Sequence, residues 1–145
     1  MIIRGIRCAA HTLQLAVEDA ITSCPDTNLI IGKARDVAKH LRTPNVMYII
    51  RAQKAPCPIL DTETRWQSKF DMLTRLLELK AFCQSLQSND SKLLLSDSEW
   101  DAISSIVEIL HPAKVTTVKL QSEQLTAGEH VKHFHSSSTS SFIKL

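Results

Sequence analysis

The sequence predicts a mainly α-helical fold, a bundle of about five or six helices, from three observations. Apolar residues recur at steps of three and four along most of the chain, which places them on one face of a helix. Capping residues and prolines stand at the boundaries of these segments. Aromatic residues make up only 5% of the chain and there are only three glycines, a composition that disfavours a sheet-rich barrel or sandwich.

Composition limits the class of protein further. The 145 residues suit one domain, and a hydrophobic share of 43% allows a buried core. Seventeen basic residues against fifteen acidic ones leave a net charge of +2, which neither requires nor excludes nucleic acid, because phosphate binding depends on a local basic patch. No apolar run approaches the ~18 residues of a membrane span. No secretory signal precedes the four irregularly spaced cysteines, so we expect an intracellular, reducing compartment with free thiols.

The chain begins with two predicted helices. The first spans residues 8–23, where apolar residues share one face, and Pro25 ends it. Asp26 is expected to cap the second helix by accepting hydrogen bonds from the amides of its first turn. The apolar stripe of the second helix consists of Ile30, Ala34, Val37 and Leu41.

A short third helix and a linker follow. Thr43 offers a capping hydroxyl and Pro44 suits the first helical position, so an apolar helix from residue 46 to about residue 54 is expected. Two prolines then break the pattern. Residues 59–60 are therefore expected to form either a brief strand or an extended linker.

The strongest helical pattern covers about residues 65–87. Thr64 and Gln67 form a predicted capping box, in which two side chains bind backbone amides at the start of the helix. The helix is apolar over so much of its circumference that it should pack on more than one neighbour. Its apolar positions are Trp66, Phe70, Leu73, Leu76, Leu77, Leu79, Cys83 and Leu86.

The last predicted helix starts at a second capping box, formed by Ser96 and Glu99. It should end or kink near His111, because Pro112 removes a backbone donor and clashes with the preceding turn. Apolar residues beyond Pro112 indicate that the helix then resumes.

The composition changes near the end of the chain. Residues 130–145 combine three histidines with a run of serines, and they have too little apolar surface to fold. We expect a disordered tail in which the histidines are incidental and bind no metal. Residues 1–129 form the single predicted domain.

Cys8 and His11 have the spacing of half a zinc site. A structural zinc ion needs four ligands, and no second pair of Cys or His stands at a matching offset. The interpretation that we favour is a buried cysteine and a histidine near a helix start whose ring nitrogens are satisfied by hydrogen bonds. No metal is expected.

Arg65 and Trp66 form a second candidate site. By spacing alone, Trp66 is the first residue of an apolar stripe and Arg65 is its solvated neighbour. In the functional alternative the indole ring stacks on an unpaired base, which is worth ~1–3 kcal/mol, and Arg65 holds a phosphate. Spacing favours the first interpretation and leaves the second open.

Two blocks of the sequence resemble hAT-family (hobo–Activator–Tam) transposases. Residues 7–17, RCAAHTLQLAV, are similar to the Cys-x-x-His segment of that family. Residues 64–73, TRWQSKFDML, are similar to its Thr-Arg-Trp-Asn-Ser block and the Met-Leu that follows. Residues 109–121 resemble a later block more loosely, with Ala113 where the family usually has Phe. The resemblance spans about residues 4–129.

The resemblance implies a fold and a set of nucleic-acid-binding residues. The helical bundle would correspond to the junction of an incomplete ribonuclease-H-like core with the helical insertion that interrupts it. His11 would lie near a DNA phosphate, with Cys8 as its structural companion. Trp66, beside Arg65, would support a flipped base. A nuclear location is implied as well.

The resemblance also implies what the chain lacks. Transposases of this family cut and transfer DNA with three acidic residues that hold divalent metal. We expect two of these before the Cys-x-x-His block and the third beyond the helical insertion, and no Asp or Glu of this chain matches those positions. We therefore expect a transposase-derived chain that is not an enzyme, has no cofactor and keeps weak DNA contact. The alternative is a helical module that binds proteins or itself through uncovered apolar helix faces, without nucleic acid.

Overall fold

The computed structural model describes residues 9–62, 64–86 and 90–138, with side chains as far as residue 122. The helices within these ranges are α1 (Ala9–Thr22), α2 (Pro25–Leu41), α3 (Pro44–Ala52), α4 (Trp66–Glu78), α5 (Lys80–Leu86) and α6 (Asp97–Ser138), with a 3₁₀ helix at Ser91–Leu93. These ranges contain no β-strand, so the mainly α fold is confirmed and residues 59–60 form a linker. They also contain no helix with the combined length and hydropathy of a membrane-spanning segment.

Two of the predicted helix starts are confirmed. The Ser96 amide donates to Oε2 of Glu99 at 2.8 Å, and the Glu99 amide donates to Oγ of Ser96 at 3.3 Å, which is the reciprocal capping box. Pro44 is the first residue of α3, and Thr43 is its N-cap residue. The Thr43 hydroxyl does not cap α3, because it donates to the His40 carbonyl at 2.7 Å.

The start of α2 differs from the prediction. Its N-cap residue is Cys24 and its first residue is Pro25, so the predicted cap Asp26 lies inside the first turn. Pro25 suits that position because an amide hydrogen there would have no acceptor within the helix. The Asn28 side chain closes the junction by donating from Nδ2 to two carbonyls at the end of α1.

The predicted capping box of α4 is wrong. The N-cap residue is Arg65, which makes no side-chain cap, so Thr64 and Gln67 do not form the expected pair. The helix begins one residue later than that box requires. The hydroxyl of Ser68 organises this start instead, because it accepts from the Thr62 amide at 2.8 Å and ties the linker to the helix.

The longest predicted apolar helix consists of two helices. α4 ends at Glu78, Leu79 follows as its C-cap residue, and α5 begins at Lys80. Leu79 is buried, and its carbonyl accepts from the Cys83 amide at 2.9 Å, so the break is confined to one residue. Both halves bury apolar side chains in the same core. No Gly or Pro marks the break, so no local signal predicts it.

The helix that starts at Asp97 continues through Pro112 instead of ending there. Packing on both sides of the proline explains this result, since Leu110 and Thr117 are both buried. The Thr117 hydroxyl donates to the Ala113 carbonyl at 2.8 Å and adds a side-chain contact within the turn after Pro112. Tertiary contacts therefore outweigh the lost backbone hydrogen bond.

The change of composition after residue 129 does not coincide with the end of α6. The helical backbone continues to Ser138, and residues 139–145 lie outside the described residues. The division of the chain into a domain and a disordered tail, residues 130–145, stays a prediction.

The core lies where α2, α4 and α6 meet, and α1 packs against all three of these helices. As predicted, α4 packs on several neighbours, so most of its apolar stripe is covered within this chain. α3 packs on α2 at the edge of the bundle. The largest fully buried side chains include Trp66, Trp100, Leu41, Ile50, Met72, Leu73 and Leu76.

Cys83 belongs to this core, and its burial has a chemical consequence. Burial disfavours the thiolate and raises the pKa of the Cys83 thiol to about 11. Because the thiolate is the reactive form, we expect Cys83 to resist iodoacetamide in the native chain while the exposed Cys24 and Cys57 react. Peptide mapping by mass spectrometry measures each site. Urea should abolish the difference, and a native Cys83 that reacts as fast as Cys24 would contradict the expectation.

Candidate nucleic-acid interface

An open cleft of about 560 Å³ lies where the start of α1, the start of α4 and the middle of α6 come together. His11 and Arg65, which are far apart in the sequence, both line this cleft. The structure therefore brings together two of the residues that the sequence singled out. The lining residues are Ala10, His11, Gln14, Thr64, Arg65, Gln67, Thr117 and Gln121.

The local structure explains why these side chains share the cleft. His11 and Gln14 lie one turn apart on α1, and Arg65 is the extended N-cap residue of α4. The side chains of His11 and Arg65 are exposed. Further along the two helices, Glu18 of α1 forms an ion pair with Lys69 of α4, and this largely buried pair holds the helices in register. α1 and α4 therefore run side by side from the cleft into the core.

The cleft is polar and positively charged. None of its lining residues is an Asp or Glu, and Arg65 has no ion-pair partner among the described residues. The first turn of α4 has neither a side-chain cap nor an acidic residue, so no carboxylate among the described lining residues offsets the positive end of its helix dipole beside Arg65. A guanidinium group next to helix-start amides favours an anionic ligand such as phosphate.

Trp66 lies beneath the cleft surface and does not line it. Its side chain is 0% exposed and packs in the core, as the first residue of the α4 stripe. Its indole Nε1 has no hydrogen-bond partner among the described residues. The interpretation of Trp66 as a core residue therefore describes this structure, and stacking on a base would require the start of α4 to rearrange.

Cys8 lies outside the described residues, so its role as a companion of His11 stays a prediction. Within the described part of the chain, no three His, Cys, Asp or Glu side chains come together as candidate metal ligands. What the cleft offers is a set of hydrogen-bond donors: the Arg65 guanidinium, the His11 imidazole and side-chain amides.

Gln14, Thr117 and Gln121 are among the lining residues that the sequence did not single out as site residues. Gln14 stands one helical turn after His11, so helical spacing alone places it on the same face of α1. Thr117 and Gln121 belong to α6, and only the tertiary structure shows that α6 crosses this end of α1 and α4. Glutamine side chains are common donors to DNA phosphates, so Gln14 and Gln121 suit the cleft, whereas the Thr117 hydroxyl is buried and already donates to the Ala113 carbonyl.

Comparison with known proteins gives one family match and one relative. The model of the ZBED1 RNase-like helical domain matches residues 6–109, which include both sequence blocks that contribute to the cleft. The human zinc finger BED domain-containing protein 4 is 24% identical over 140 residues, and the aligned region covers 90% of this chain. This chain spans only 12% of the length of that relative. No solved structure matches the chain.

Proposed function

The chain belongs to the ZBED1 RNase-like helical domain family, and from this premise we propose that it is a catalytically incomplete, transposase-derived domain that contacts DNA weakly through the cleft of His11 and Arg65. Its hAT-related origin is supported by the family match and by the BED zinc finger relative. Loss of catalysis, DNA contact and a nuclear location belong to the proposal.

The observation that carries the proposal is the convergence of His11 and Arg65 on one open cleft at the start of α4. Phosphate oxygens accept hydrogen bonds from guanidinium groups, from helix-start amides and from imidazole. Such donors hold the sugar-phosphate backbone and do not read base edges. The proposed contact is therefore weak and independent of DNA sequence.

The same cleft supports a binding role over a catalytic one. Metal-dependent strand transfer needs carboxylates that converge on the metal ions. Within the described part of the chain, the residues that line the cleft include no Asp or Glu. Glu18, two turns along α1 from His11, is engaged by Lys69. We propose that the described residues of the cleft hold phosphate and perform no chemistry.

Arg65→Ala should weaken the binding of a mixed-sequence DNA duplex, because it removes one phosphate contact. The slope of log affinity against log salt concentration should become shallower by about one unit. The double variant Arg65→Ala/His11→Ala should bind the duplex more weakly than Arg65→Ala alone. Fluorescence anisotropy of a fluorescein-labelled duplex, repeated over a salt series, measures both quantities.

Lys92→Ala is the matched control for this experiment. Lys92 is an exposed cation in the 3₁₀ helix and does not line the cleft, so its loss changes the net charge equally. If Arg65→Ala and Lys92→Ala bind the duplex alike, the effect is one of net charge and the cleft is not the DNA site.

A role as an interaction module is the second candidate, and one observation favours it. Ile109 of α6 is 75% exposed and borders an apolar cavity of about 220 Å³, which Ile21 and Leu110 also line. Salt separates the two functions, because DNA binding falls steeply as salt rises whereas apolar association does not weaken. Dimers that persist in size-exclusion chromatography at every salt concentration, without binding to the duplex, would favour the module.

A further inference from the structure

A second open cleft, of about 630 Å³, lies beside α3. Arg42, Tyr48, Arg51 and Cys57 are among the residues that line it. It shares no lining residue with the cleft of His11 and Arg65. The two clefts also belong to different parts of the bundle, since α3 packs on α2 and the first cleft is built from α1, α4 and α6.

α3 has a buried side and a side that forms the cleft. Val46 and Ile50, one turn apart, are buried against the bundle. Tyr48 and Arg51, also one turn apart, line the cleft, and the Tyr48 side chain is 76% exposed. Arg42 joins them from the turn before α3. An exposed aromatic ring and two guanidinium groups therefore share one cleft.

The charges of this cleft are not neutralised within the described residues. Arg35 and Arg75 each form an ion pair with a carboxylate, whereas Arg42 and Arg51 have no ion-pair partner among the described residues. No Asp or Glu is among the described residues that line this cleft. Nη1 of Arg75 donates to the Cys57 carbonyl at 2.7 Å. This hydrogen bond holds the linker residue Cys57 in place where it lines the cleft.

We infer that this cleft binds an unpaired segment of nucleic acid, with a base stacked on Tyr48 and the neighbouring phosphates held by Arg42 and Arg51. An aromatic face stacks on any base, and the planar fork of a guanidinium group matches phosphate oxygens. An unpaired strand suits the cleft better than a duplex, because the base faces of a duplex are covered by their neighbours. The inference goes beyond the proposed function, since it concerns a different ligand and different residues.

Anisotropy titration of the full chain with fluorescein-labelled oligo(dT) tests the role of the ring. Tyr48→Ala should weaken binding about fivefold or more, whereas Tyr48→Phe should bind as the wild type does, because stacking needs only the ring. Tyr48 is largely exposed, so thermal melts of both variants should match that of the wild type.

The roles of Arg42 and Arg51 are tested through the salt dependence of oligo(dT) binding. Arg42→Ala and Arg51→Ala should each weaken oligo(dT) binding and make the salt dependence shallower by about 0.7 units, the value for single strands. Lys92→Ala again serves as the control for net charge.

Cys57 provides an independent readout, because its exposed thiol lies in this cleft. Saturating oligo(dT) should slow the alkylation of Cys57 and leave that of the exposed Cys24 unchanged. The variant His11→Ala/Arg65→Ala should keep this protection of Cys57. The result therefore does not depend on whether the cleft of His11 and Arg65 binds duplex DNA.

Any of three results would overturn the inference. The first is equal oligo(dT) affinity for Tyr48→Ala and the wild type, and the second is unaltered alkylation of Cys57 at saturation. The third is binding of a phosphotyrosine peptide without binding of oligo(dT), which would assign the cleft to a phosphorylated protein partner.

Discussion

Trp66→Ala should lower the free energy of unfolding by about 3–5 kcal/mol. The indole is fully buried in the core at the start of α4, where the neighbouring helices cannot close around a methyl group without shifting. The loss therefore combines the transfer energy of the ring with the cost of a cavity. Urea denaturation followed by far-UV circular dichroism measures the change by linear extrapolation.

Two further variants separate packing from base stacking. Trp66→Phe keeps most of the ring volume and removes a buried indole N–H that has no partner among the described residues, so it should cost much less than alanine. In a Trp100→Phe background, Trp66 is the only tryptophan of the chain. Its emission should be blue-shifted, protected from acrylamide and unchanged by duplex DNA or oligo(dT).

A different outcome would restore the functional interpretation of Trp66. If Trp66→Ala unfolds within about 1 kcal/mol of the wild type yet loses affinity for DNA, the ring contributes little to the core and acts on a ligand. DNA-dependent quenching of the Trp66 emission would indicate the same result, because it requires the ring to reach a base.

Features governed by local chemistry were predictable from the sequence. The capping box of Ser96 and Glu99 depends on residues three apart, and Pro44 starts α3 because its fixed φ angle suits a first helical position. The apolar stripe that begins at Trp66 also follows from spacing. Each of these features needs information from only one or two turns of the chain.

Features governed by tertiary packing were not predictable in this way. The break at Leu79 carries no Gly or Pro, and Pro112 lies within a helix because the core holds the turns on both sides of it. The same limit applies to the candidate site. Motif resemblance selected His11 and Arg65 separately, but only the packing of α1 beside α4 shows that they share a cleft.

Spacing also could not decide the environment of Trp66, because one position served both a core stripe and a functional motif. In the structure the Trp66 side chain packs in the core, whereas its motif neighbours Thr64, Arg65 and Gln67 line the cleft. The separation has a physical basis, since consecutive residues at the start of a helix point in different directions. A motif can thus contain one residue that binds and a neighbour that packs.

Arg35→Met should destabilise the chain by about 3 kcal/mol at neutral pH, because it leaves a buried carboxylate without its partner. Arg35 of α2 binds Asp61 of the linker before α4 through two hydrogen bonds, from Nε at 2.8 Å and from Nη2 at 2.6 Å. The Asp61 side chain is 0% exposed. Burial alone would raise the pKa of Asp61, but the hydrogen bond and the charge of Arg35, together with a backbone hydrogen bond and the charge of Lys69, hold that pKa below its usual range.

The sign of the pH dependence follows from this balance. In the wild type, the stability contributed by the pair is fully present above the unfolded pKa of about 3.9, and it is lost as the pH falls through the lower folded value. In Arg35→Met, burial is no longer offset by the guanidinium group, so we expect the pKa of Asp61 to rise above its usual range. Mild acidification then protonates Asp61 in the variant and relieves the buried charge.

The difference in unfolding free energy between wild type and Arg35→Met should therefore be largest near neutral pH and shrink as the pH falls toward about 4. Lys33→Met on the same helix is the matched control, because the Lys33 side chain is 48% exposed in its ion pair with Glu99 and should contribute only about 0–1 kcal/mol. Arg35→Met/Asp61→Leu should recover part of the loss, since no charge is then left buried. Equal costs for the two methionine variants, or a pH-independent difference, would mean that the buried ion pair does not hold the linker against α2.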